Sequence, residues 1–84
     1  MKLDEAYRTF TRDGRVRVRE ELLVLCEKRG ITVSREYLKL LLSGGRQHPC
    51  GEALAQLVSR YMTGMMLIEV TPDDVRSCFR PKAD

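Results

Sequence analysis

The chain contains no tryptophan, two phenylalanines and three tyrosines. A core built without large aromatics must come from Leu, Val, Ile and Met, and stacking platforms for single-stranded RNA are scarce. Cysteine is sparse too: Cys26, Cys50 and Cys78 are odd in number and widely spaced. That pattern makes a poor disulfide framework, so a reducing compartment and buried thiols acting as small hydrophobes are expected. No CxxC or HxxxH pair accompanies the single histidine, His48, so neither a metal site nor any other cofactor is expected. A Gly-rich phosphate loop is lacking, and His48 has no evident nucleophile or carboxylate partner; enzymatic activity is not expected. The longest uninterrupted apolar runs are four or five residues, far short of a bilayer span, so no membrane partner is expected. The opening MKLDEAYRTF lacks the apolar core of a secretory leader, and a cytoplasmic location is the expectation.

What is present describes one small globular domain over residues 1–84. Hydrophobic residues make up 43% and charged residues 32%, the balance of a folded chain rather than a disordered one. A core this small stabilises modestly, which favours support from a second copy. The formal charge is +3, and its distribution is uneven. Residues 1–27 are neutral and residues 50–84 carry −1. Residues 28–49 carry +4, from Lys28, Arg29, Arg35, Lys39 and Arg46 against Glu36. Positive charge concentrated in the middle third suits a polyanion-binding face.

Apolar spacing organises the chain into helices. Leu3, Ala6, Tyr7 and Phe10 follow the i, i+3, i+4, i+7 pattern, predicting a helix over 3–12 that stops at Gly14. Residues 15–19 alternate Arg and Val with period two, the pattern of a short strand with its arginines on one side. A second helix follows, with Leu22, Leu23, Leu25 and Cys26 inward and Gly30 placed to end it in a left-handed conformation. The β-branched run Ile31, Thr32, Val33 favours an extended turn, after which Ser34 is a good N-cap for a helix over 35–42. Ser43, Gly44 and Gly45 break that helix, and Arg46, Gln47, His48 and Pro49 form an exposed loop. A fourth helix is predicted over 51–62, with Leu54, Leu57, Val58 and Tyr61 inward and Thr63 and Gly64 closing it. Residues 66–70 either extend it or pair as a strand with 15–19. Thr71, Pro72, Asp73 and Asp74 start a fifth helix over 72–79. The expected fold class is therefore all-α.

Two helices joined by a short connection, the second amphipathic and basic at its start, suggest a helix-turn-helix. An α-helix fits the major groove and points its N-terminal residues at base edges, while Arg, Lys and polar loops hold phosphates. The run from Glu20 through Leu22, Leu23, Cys26 and Gly30, then Val33, Ser34, Arg35, Tyr37, Leu38, Leu41, Leu42, Ser43 and Gly44, resembles lambda-repressor-like (Cro-type) helix-turn-helix domains. The likeness extends to the loop ending in Pro49 and the helix carrying Glu52, Leu54 and Leu57, and is densest over 33–58. It implies a five-helix domain binding double-stranded operator DNA as a homodimer, a transcriptional regulator and more specifically a repressor. By position, Ser34, Arg35, Glu36 and Lys39 would face bases; Arg46, Gln47, His48, Arg17 and Arg19 would lie near phosphates. Val33, Leu38 and Leu41 would be buried supports, and Cys26 would take the small-residue position inside the second helix. Three residues between Gly30 and Ser34 make a longer turn than the family usually has.

A different class of function fits the same fold: a protein-interaction module, an antirepressor or inhibitor, that has lost DNA binding. The long turn and the cluster Met62, Met65, Met66, Leu67 and Ile68 motivate it.

Overall fold

A helix begins where a side chain supplies an acceptor for its orphaned first-turn donors, and three threonine or serine residues set three of the helix starts here. The computed structural model describes residues 2–47, 49–66 and 69–80, and among them are five helices and no strand. They are α1 (Leu3–Arg8), α2 (Arg12–Lys28), α3 (Arg35–Ser43), α4 (Glu52–Met66) and α5 (Pro72–Arg76). Thr11 caps α2 by accepting from the Gly14 N–H (3.1 Å). Ser34 caps α3 by accepting from the Tyr37 N–H (3.0 Å). Thr71 and Asp74 form a reciprocal capping box on α5, with Pro72 in its first turn.

The strand expected over 15–19 is not formed: these residues lie inside α2. Alternation of Arg and Val is ambiguous over five residues. The longer pattern decides it, because Val18, Leu22 and Cys26, spaced by four, form the buried stripe of a helix. Gly14 sits in the first turn of α2 instead of ending α1, which stops at Arg8. Of the proposed partner strand, Met66 is helical, Glu69 and Val70 are outside any element, and 67–68 lie outside the described residues. Helix α4 runs past Thr63 and Gly64 because the Thr63 hydroxyl is used sideways. It accepts from the Val70 N–H (3.0 Å) and donates to the Val70 carbonyl (3.1 Å), fastening that returning segment to α4. Ser59, buried one turn earlier, donates to the same carbonyl (2.5 Å). The fifth helix is shorter than expected, leaving Cys78 and Phe79 beyond its end. Cys78 is nevertheless buried, its thiol donating to the Leu41 carbonyl (3.3 Å).

The core draws on every helix: Leu3 and Ala6 of α1, Val18 and Leu22 of α2, Leu38, Leu41 and Leu42 of α3, Val58 and Met62 of α4, and Val75 of α5. Helix α3 packs on both α1 and α2, and α4 packs on α2 and α5. No helix of the described residues is long and apolar enough to cross a membrane.

At the α2–α4 contact the Tyr61 hydroxyl donates to a Glu21 carboxylate that also accepts from Arg17 Nε (3.1 Å). Burial, then the Glu21 hydrogen bond and charge, push the Tyr61 hydroxyl well above the ordinary phenol range. The Tyr61 and Arg17 hydrogen bonds hold Glu21 below its ordinary value. A raised Tyr61 stabilises the fold below its unfolded value near 10 and loses that contribution as pH rises beyond it. A depressed Glu21 contributes above its unfolded value near 4.5 and loses it as pH falls. Melting temperatures of the wild type and Tyr61→Phe are therefore expected to differ most between these limits and to converge on both sides. A difference independent of pH would mean that the pair is not made.

Candidate nucleic-acid interface

The second helix ends in a way that sets the start of the third. Gly30 adopts a left-handed conformation (φ 73°), the Ile31 N–H bonds the Cys26 carbonyl (2.8 Å), and the Gly30 N–H bonds that of Glu27 (3.2 Å). This pair of bonds is a Schellman motif. From there residues 31–33 lie outside any element: Ile31 and Val33 pack against the core while Thr32 between them is exposed. The turn is thus longer than in the resemblance, yet both its apolar side chains are anchored. Ser34 keeps extended angles (φ −102°, ψ 164°) and α3 begins at Arg35.

On α3 the two sides are sharply different. Leu38, Leu41 and Leu42 are completely buried. Arg35, Glu36, Lys39, Leu40 and Ser43 are exposed, and their spacing of one, four, five and eight residues makes them a single stripe along the helix. Three of the four residues expected to meet bases therefore share one solvent-facing stripe, and the fourth, Ser34, is committed to the cap. The stripe also contains Leu40, 46% exposed, outside the set of residues expected to meet bases. The signal for it is its spacing of four from Glu36, one helical turn on, which puts it on the same face. An exposed leucine among charges offers an apolar contact of the kind a thymine methyl group accepts.

The side chain of Arg35 is 71% exposed and makes one interhelical ion pair, its Nε donating to Glu20 of α2 (3.0 and 3.2 Å to the two oxygens). Lys39 is exposed. The loop after α3 is tied back to that helix: the Arg46 guanidinium lies over the Tyr37 ring, 4.6 Å from its centroid, and Nη2 donates to the Pro49 carbonyl (3.1 Å). Arg46 is therefore held against the first turn of α3, and Gln47 beside it is exposed. His48 lies outside the described residues.

The two arginines expected near phosphates before the second helix are separated by the helical conformation of 15–19. Residues two apart on an α-helix point about 200° from each other. Arg17 is 77% exposed and paired with Glu21. Arg19 is half-buried toward α1, where its charge acts on Tyr7, and its Nε is buried without a hydrogen-bond partner among the described residues. Arg15 also turns that way, donating to the Phe10 carbonyl (3.1 Å). The expectation that Arg15, Arg17 and Arg19 project to one side falls with the strand.

All three cysteines are free and buried, and burial pushes each thiol above its ordinary value. They are protonated at neutral pH and poorly suited to nucleophilic chemistry. Among the described residues no group of three or more His, Cys, Asp or Glu is arranged to hold a metal ion. Comparison of the chain with family models, with curated proteins and with solved structures finds no match.

Because the Ser34 hydroxyl holds the first turn of α3, Ser34→Ala is expected to cost about 1 kcal/mol of stability in urea unfolding. Ser34→Asp should retain most of it; equal stability of the wild type and the alanine variant would show that the cap is not made.

Proposed function

We propose that this protein is a sequence-specific regulator of transcription, a repressor in the first instance, that binds double-stranded DNA with α3 in the major groove. The observation that carries the reading is the two-sidedness of α3. Its buried leucines fix the helix on the domain while Arg35, Glu36, Lys39 and Leu40 face outward from its first two turns. The concentration of positive charge over 28–49 supplies the long-range attraction to phosphates, and Gln47 and the tethered Arg46 flank the start of the same helix. The proposed arrangement is lambda-repressor-like, acting in the cytoplasm. A homodimer would set two copies of α3 in major grooves about 34 Å apart, one turn of DNA.

Selection from random duplexes, followed by binding at several salt concentrations, tests this directly. A preferred sequence is expected, with affinity that falls steeply as salt rises. Arg35→Ala and Lys39→Ala should each lower discrimination at the base pair they contact, by roughly tenfold to hundredfold for a lost bidentate contact, with helicity by circular dichroism unchanged. Absence of any sequence preference at every salt concentration would contradict the proposal.

A second reading has its own observation. Val24 and Met65 are nearly half exposed (48% and 46%), and Val24 lines a groove of about 400 Å³ with Glu20, Glu21, Leu25 and Tyr61. A protein partner covering this groove and Met65, one turn beyond Tyr61 on α4, would make the chain an antirepressor or inhibitor. In that case Met65→Glu would abolish function and Arg35→Ala would not.

A further inference from the structure

Glu20 and Arg35 are fifteen residues apart and belong to different helices, yet they make the one ion pair that joins α2 to α3 among the described residues. Which atoms of the guanidinium are used matters. Nε donates to both Glu20 oxygens, at 3.0 and 3.2 Å, and neither Nη nitrogen has a partner among the described residues. A guanidinium is a planar fork with five N–H donors. Holding it by Nε fixes the plane and leaves the Nη1–Nη2 end open. That end matches the two acceptors, O6 and N7, that a guanine offers in the major groove.

The other exposed pair of α2 differs in kind. Arg17 and Glu21 are one turn apart on the same helix, so their bond orients nothing on α3. Glu36, the acid next to Arg35 on the outward stripe, is exposed but is not the group to which Arg35 is bonded.

We propose that Glu20 is the positioning residue for base reading: it holds the Arg35 guanidinium so that its free edge addresses a guanine at one position of the site. The inference rests on the DNA-binding reading above. Its physical content is twofold. A guanidinium already held in one plane loses less freedom on binding, so the contact with guanine is tighter and angularly more selective. A carboxylate near the phosphate rails also opposes binding to any sequence. Glu20 therefore sharpens choice while lowering general affinity, two effects that move in opposite directions when it is removed.

The test measures binding of wild type, Glu20→Ala, Glu20→Gln and Arg35→Ala at one salt concentration. The duplexes are the selected site, the same site with each other base pair at the guanine position, and an unrelated sequence. Arg35→Ala is expected to lose the guanine preference. Glu20→Ala is expected to lose about two- to tenfold of it while binding the unrelated duplex more tightly than wild type. Glu20→Gln keeps an acceptor for Nε and should retain more of the preference than alanine does, although it carries no charge. Melting temperatures should change little, since both partners are largely exposed.

If Glu20→Ala strengthens binding to every duplex by one common factor, with the guanine preference intact, Glu20 is only a repelling charge and the proposal fails. If Arg35→Ala keeps the guanine preference, Arg35 does not read that base and the proposal fails as well. If wild type lacks a preferred sequence at every salt concentration, the reading beneath it fails, and that result is distinct from the other two.

Discussion

Burial of Leu38, Leu41 and Leu42 fixes the rotation of α3 about its own axis, and everything ascribed to the opposite side of that helix depends on it. A nine-residue helix is too short to be stable by itself in water, so its conformation and its orientation come from the same three contacts. The Ser34 cap and the left-handed Gly44 (φ 74°) define where the helix begins and ends. The Gly30 turn, with Ile31 and Val33 packed inward, delivers the chain to that start. Rotating α3 by one residue would bury Arg35 or Lys39 and expose a leucine, at a cost in desolvation that a core of this size could not offset.

The electrostatics follow from that placement. Arg35 enters at the first position of α3, close enough to the middle of α2 to meet Glu20, so the outward cation is partly directed by the neighbouring helix. Arg46 is drawn onto the face of Tyr37, where a cation and an aromatic ring attract each other. The basic middle third of the sequence is thus divided. Arg35 and Lys39 are offered to solvent, while Arg46 largely serves to hold its own loop.

Features that depend on local pattern were legible in the amino-acid order. Ser34 as a cap, Gly30 as a helix stop and the Thr71–Asp74 box each need only a few neighbouring residues, and all are found. Leu38 and Leu41 are buried as the family resemblance implied, and Leu42 joins them. Where two periods competed over a short stretch, local reading failed. Arg and Val alternate over 15–19, and only the continuation through Leu22 and Cys26 reveals the helical period. Gly14 and Gly64 look like stops in the sequence, but glycine merely lowers helix stability; Thr11 and Thr63 determine what happens there. Side-chain destinations were the least legible. Neither the Glu20–Arg35 pair nor Arg46 over Tyr37 can be inferred from spacing along the chain, because long flexible side chains choose partners that only the packed helices bring near.

The central claim is that the outward stripe of α3 is the surface that meets DNA. Backbone amide shifts recorded by NMR while a selected duplex is added test it most directly. The largest changes should fall on residues 34–40 and on Gln47, with smaller ones along the buried side of α3. Changes centred on Val24, Leu25 and Tyr61, or none at all at saturating duplex, would contradict it.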